Sequence, residues 1–187
     1  MEQTTREPVR SGAQFGRPVA RPARRGVCVL ADVELSEADL LACCASRRWV
    51  AAVSGHGDLD ALRAASKRVL DALEWPDVEE ALAAHPRIGE RARGEGREAG
   101  WSRGEQSGMD GAALELRDAL AEGNRAYEER FGHVFLICAS GRSGPEMLAD
   151  LRERLGNDVE TERDVVRREL AAIVDLRLAR LARENGG

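Results

Sequence analysis

Aromatic residues are scarce in this sequence, at 4%, and lysine is almost missing: Lys67 is the only one. So few rings, in a chain that is 33% charged and 43% hydrophobic, fit a helical soluble protein better than a β-sandwich. There is no surplus of positive charge either. A net charge of −5, with no basic stripe carrying interleaved aromatics, argues against a nucleic-acid binder, which must neutralise phosphates. No apolar run approaches the eighteen or so residues that a membrane span requires. Metal-ligand spacing is absent as well. Cys28, Cys43, Cys44 and Cys138 form no CxxC pair, and His85 has neither His56 nor His133 at ligand spacing, so no metal site is expected. The cysteines read as reduced thiols in the core of a cytoplasmic protein. The 187 residues suffice for one domain with a core of its own.

Residues 1 to about 31 stand apart. They hold Pro8, Pro18 and Pro22, six arginines and almost no apolar periodicity, which predicts a disordered tail. Glu2 and Glu7 and the lack of an amphipathic helix argue against a targeting leader. The domain proper is expected over residues 32–187. From Leu35 onward the pattern is helical. Ser36 with Asp39 resembles a capping box, and Leu40, Leu41, Cys44, Trp49, Val50 and Val53 continue one face to Ser54-Gly55. Asp58 opens a helix through Leu59, Leu62, Val69, Leu70 and Leu73. Pro76 fits the first turn of a short helix that delivers His85-Pro86. Residues 89–108 read as a long polar loop, of the kind that is functional or disordered. Asp110 to Arg130 reads as one long helix ended by Gly132. VFLICA (134–139) is the only extended segment expected. Ser143 with Glu146 caps a further helix, and Glu160 to about Arg183 forms the last. The fold class is therefore all-α: a single domain of about seven or eight helices with one short extended segment.

Three places can carry chemistry. His85 ends a short helix against a proline, beside a polar loop. In WSRGEQSG, Ser102, Glu105 and Gln106 bring a hydroxyl, a carboxylate and an amide together, although Ser-x-x-Glu is equally the capping box of a helix start. In the last helix Val166, Leu170, Ile173, Val174, Leu178 and Leu181 share one arc, and Arg177 points from its middle. A guanidinium there needs an anionic partner or ligand, because burying it unpaired is costly. Arg167 lies at the arc's edge, where its head can reach water.

Together these pieces resemble the 2-oxo-4-hydroxy-4-carboxy-5-ureidoimidazoline (OHCU) decarboxylase family. The resemblance runs from about Leu35 to Leu181 and rests on AHPRIGERA (84–92), SRGEQSG (102–108), N-x-x-Y-x-x-R-F-G (124–132), VFLICA (134–139), RLGND (154–158) and LRLARL (176–181). It implies an all-helical, often dimeric enzyme of urate breakdown that needs no cofactor and takes a small anionic substrate. It places His85, Glu105 and Arg177 at the catalytic positions. Pro86, Ser102 and Gln106, with the segment Leu136, Ile137, Cys138, Ala139 and Ser140, fall at substrate-contacting ones. The chain departs from the family at Arg87-Ile88-Gly89-Glu90, where Asp-Leu-Ala-Gly is common, and at His133-Val134, where Phe-Pro is common. Two other readings stay open: a non-catalytic helical interaction domain, or the same fold acting on another small ureido or imidazoline acid.

Overall fold

A computed structural model describes residues 28–30, 33–56, 58–90 and 96–185; residues 1–27, most of the expected tail, lie outside them. The described residues form eight α-helices, a 3-10 turn and a two-stranded hairpin. In the hairpin, β1 (Cys28–Leu30) pairs antiparallel with β2 (Val33–Leu35). These two short strands stand before α1, in addition to the extended segment expected at 134–139.

Helix starts follow local chemistry closely. α1 (Glu37–Cys43) opens on a reciprocal Ser36–Asp39 capping box and α3 (Leu59–Ala72) on Asp58, whose carboxylate accepts the Ala61 N–H at 2.7 Å. Pro76 sits in the first turn of α4 (Trp75–Leu82), and α7 (Gly144–Arg154) opens on a Ser143–Glu146 box. α6 (Leu114–Phe131) ends on Gly132 at φ 80°, the left-handed conformation that glycine adopts without a Cβ penalty. α8 (Val159–Asn185) is the long last helix.

Three expectations need correction. The helix expected to run from Ser36 to Val53 is broken: Cys44 is extended, and the Ser46 hydroxyl accepts the Trp49 N–H to start α2 (Arg47–Val53), a side-chain cap outcompeting helix continuation. The polar stretch 89–108 contains α5 (Arg97–Glu105) and then a 3-10 turn (Ser107–Met109), and α6 starts at Leu114 rather than Asp110. Ser102 therefore lies inside a helix, and its spacing to Glu105 reflects one helical turn rather than a capping box.

Two cores lie side by side. α1 to α4 pack on α8 around Trp49, Leu62, Val78, Leu82, Val174 and Leu178. α6 and α7 build the other around Leu120, Tyr127, Met147 and Leu151. Gly123 makes that second packing possible, because a Cβ there would lie 2.4 Å from Leu151 Cδ2. Between the cores runs 134–139, outside any sheet. Phe135, Ile137 and Ala139 join the second core, and Val134, Leu136 and Cys138 the first. Such strict alternation is the mark of an extended chain. Among the described residues no helix is long and apolar enough to cross a membrane.

Candidate active site

α4 ends at Leu82, and the chain turns through a His85 N–H to Leu82 carbonyl bond of 2.9 Å, which turns the imidazole into a narrow, nearly filled cleft of about 20 Å³. Pro86, Ile88, Ser102, Glu105 and Gln106 line the cleft on one side, and Phe135, Leu136, Ile137 and Ala139 on the other. The His85–Gly89 turn is held by three side chains. Gln106 accepts the Gly89 N–H at 3.0 Å and donates to the Arg87 carbonyl, Asn124 donates to the Ile88 carbonyl at 2.9 Å, and Glu128 grips Arg87 with two bonds of 2.6 Å.

α5 has little helix-forming tendency, with Gly100 and Gly104 in nine residues. It is fixed by docking instead: Trp101 is buried and donates to Glu184 at 3.1 Å, and Arg97 pairs with Asp39. This presents Glu98, Ser102 and Glu105, spaced at three and four residues, to α8. Arg177 is only 2% exposed and makes two bonds of 2.9 Å to Glu105, one of 3.0 Å to the Ser102 hydroxyl and one of 3.3 Å to the Ala42 carbonyl. Ser102 passes its own proton to Glu98 at 2.9 Å. Burial alone would lower the Arg177 pKa, but bonding to Glu105 and the charges of Glu105 and Glu98 hold it above the ordinary value.

His85 has no side-chain hydrogen bond among the described residues. Desolvation, and then the Arg177 charge, push its pKa down to about 3, so the imidazole is neutral across the physiological range. The near-neutral value ordinary for histidine does not apply here. Glu105 reaches Arg177 rather than His85, so the carboxylate does not orient the ring.

The structure thus brings together His85, Pro86, Ser102, Glu105, Gln106, Leu136, Ile137 and Ala139 at one cleft, with Arg177 directly behind Glu105 and Ser102. Two further residues singled out by the sequence fall off it. The Cys138 N–H bonds Glu169 at 2.7 Å, and exposed Ser140 lines a neighbouring groove together with Glu105, Arg177, Arg180 and Arg183. Arg87 and Glu90 are absent from the cleft lining, and His133 is seated against Trp75 and Tyr127, so both departures from the family spare the cleft except at Ile88. Glu98 was not legible as a site residue, although its spacing of four from Ser102 on a helix face was a signal. Among the described residues no three His, Cys, Asp or Glu side chains gather to hold a metal ion.

A mainly helical fold whose narrow cleft gathers a neutral imidazole and an arginine-held carboxylate has the form of an enzyme site. The sequence profile of the OHCU decarboxylases matches residues 31–179, and the chain belongs to that family. It is 35% identical over 119 residues to the 2-oxo-4-hydroxy-4-carboxy-5-ureidoimidazoline decarboxylase of Amia calva, covering 63% of this chain and 68% of that protein. It is 33% identical over 155 residues to the uric acid degradation bifunctional protein TTL of Arabidopsis thaliana, covering 80% of this chain but only 48% of that larger protein. A crystal structure of an OHCU decarboxylase determined in the presence of (S)-allantoin superposes with a TM-score of 0.68 at 30% identity, covering 77% of this chain and 96% of that one.

Proposed function

We propose that the protein decarboxylates 2-oxo-4-hydroxy-4-carboxy-5-ureidoimidazoline to (S)-allantoin in urate degradation. The observation that carries this reading is the make-up of the cleft: in a chain of this family, a neutral His85 shares one narrow cleft with Glu105, Ser102, Leu136, Ile137 and Ala139. The substrate supplies its own electron sink. Its ring C=N accepts the electron pair left when the bond to the carboxylate breaks, so the reading gives no step to a metal or organic cofactor. The protein's part is to position groups and deliver protons.

A neutral imidazole acts first as a base. His85 takes the proton of the ring hydroxyl, and the imidazolium so formed is stabilised by the substrate's negative charge, which the free cleft lacks. It then returns that proton to ring carbon from one face, which sets the handedness, while the ring nitrogen that received the electron pair takes a proton from water. Glu105 accepts ureido N–H groups. Arg177 fixes Glu105 and Ser102 and adds positive potential for the carboxylate. Pro86, Gln106 and the backbone of 136–139 complete the contacts. We further propose a cytoplasmic homodimer; light scattering on the purified protein tests the dimer.

The activity is tested by adding the protein to urate undergoing oxidation by uricase and hydroxyisourate hydrolase, with circular dichroism following the product. Optically active allantoin should appear faster than without the protein, and EDTA should leave that rate unchanged. Racemic allantoin at the spontaneous rate, with folded protein present, overturns the reading.

A further inference from the structure

Two motifs, Asn124-x-x-Tyr127 and RLGND (154–158), line no part of the cleft, yet they bury polar groups at high cost. Arg154 and Glu162 are 7% and 0% exposed. Arg154 bonds Glu162 through Nε at 2.9 Å and Nη2 at 2.5 Å, Tyr127 donates to the same carboxylate, and Asn157 donates to its other oxygen at 2.7 Å. Replacing such a group by apolar side chains is often neutral or stabilising, so the ion pair itself does not explain its presence. One contact does. Arg154 Nη1 donates to the Leu136 carbonyl at 2.8 Å, and the guanidinium lies over the Phe135 ring at 4.6 Å.

An extended chain sends the N–H and C=O of one residue to one edge and those of the next to the other. Arg154 takes the Leu136 carbonyl and Glu169 takes the Cys138 N–H, which are two groups on the same edge. On the opposite edge the Ala139 carbonyl accepts the Arg142 N–H at 3.0 Å, while the Ile137 N–H and carbonyl and the Ala139 N–H have no partner among the described residues. Phe135, Leu136, Ile137 and Ala139 line the cleft. The Arg154 and Glu169 side chains therefore take the place of a neighbouring strand along one edge of a segment that borders the cleft.

We infer that Arg154, braced by Glu162 and Tyr127, is a positioning residue that fixes the register and facing of the 136–139 backbone, and through it the orientation of the bound substrate. This rests on the proposed activity for its catalytic consequence, though not for its structural one. The test replaces the whole polar group at once: Arg154→Met with Glu162→Leu and Tyr127→Phe, which leaves no buried charge unpaired. Amide exchange across 134–139 should quicken by about tenfold or more while the midpoint of thermal unfolding stays near that of the wild type. In the allantoin assay kcat/KM should fall by about tenfold or more and the optical purity of the product should drop, with His85 intact. Arg154→Lys provides the second variant. Its ammonium keeps the charge beside Glu162 but cannot also hold the Leu136 carbonyl, so it should show the same direction of change more weakly. A folded variant with wild-type exchange in 134–139 and wild-type optical purity overturns the inference. If the wild type itself yields only racemic product, the proposed activity fails, and the exchange comparison alone decides the positioning role.

Discussion

Arg154 and Arg177 are both buried, both bonded to glutamates and both set among apolar side chains, yet they occupy different electrostatic settings. Around Arg154 the partner is sealed: Glu162 is 0% exposed, and its oxygens are taken up by Arg154, Tyr127 and Asn157. Around Arg177 the carboxylates keep contact with water, with Glu105 and Glu98 side chains 16% and 30% exposed. Glu105 also opens on the cleft. The sealed group holds backbone and has nothing left to offer a ligand. The open group holds a carboxylate and a hydroxyl where a ligand can reach them. Burial of the arginine alone does not separate a structural role from a functional one; the exposure of its partner does.

The strongest way to break this comparison is to remove each arginine alone. Arg154→Met leaves Glu162 charged in a dry site, and should cost about 3–5 kcal/mol, measured by denaturant unfolding. A loss below that of Arg177→Met would show that the two settings do not differ as described. His85→Asn comes next. It keeps a polar group of similar reach but no titratable proton, so kcat should fall about a hundredfold or more with folding intact. Wild-type turnover in that variant would remove His85 from the mechanism.

The arginine comparison also shows what the sequence could and could not disclose. Arg177 was legible because it interrupts an apolar arc whose residues are all visible in the helical spacing. Glu162 continues that arc one turn towards the N-terminus, through Val166, Leu170 and Ile173 to Arg177, and is buried like them. In the sequence it is an acid in the first turn of a helix, and nothing local reveals that Arg154 and Tyr127 close over it. Arg167 was placed correctly at the arc's edge, but its head caps α3 instead of ending in water, donating to the Leu73 carbonyl at 2.6 Å. Helix starts at Ser36, Asp58, Pro76 and Ser143 were readable because caps are local chemistry. α5 was not, because its glycines oppose helix and only Trp101 and Arg97, docking on distant elements, hold it. The extended segment was recognisable from its apolar run, but not the side chains that stand in for a strand beside it.

Arg177→Met sharpens the same contrast at lower cost. Glu105 and Glu98 can rehydrate, so the expected loss is about 1–3 kcal/mol, while kcat/KM falls because Glu105 and Ser102 are no longer held. His85 adds a pH signature to this side of the molecule. Its folded pKa, about 3, lies below the ordinary 6.5, so between those values the unfolded chain binds more protons than the folded one. Stability from this group is therefore complete above pH 6.5 and is lost as pH falls towards 3. His85→Asn should flatten that part of the stability curve. The kcat/KM of the wild type should likewise pass through pH 6.5 without losing its base. A fall centred on pH 6.5 would mean that the imidazole is not desolvated.

The smallest effect belongs to a third arginine with the same bonding pattern and neither setting. Arg63 on α3 makes two bonds of 2.6 Å to Asp175 on α8, a bidentate pair with 40% and 47% of the side chains exposed. The hydrogen bonds from Arg63 hold the Asp175 pKa below its ordinary 3.8, against a smaller opposing effect of burial. Any stability from the pair is thus present above about pH 4 and lost as Asp175 protonates in stronger acid. At neutral pH, water screens both charges and each side chain gives up rotamer freedom to keep the geometry. Arg63→Ala should therefore cost about 0.2–1 kcal/mol, with turnover unchanged. Because the pair joins the two longest helices of the first core, a larger loss would mean that bidentate geometry alone sets the energy. In that case exposure of the partner would not be what distinguishes Arg177 from Arg154. A small loss here beside a large one at Arg154, for similar hydrogen bonds, would identify solvent access to the carboxylate as the deciding variable.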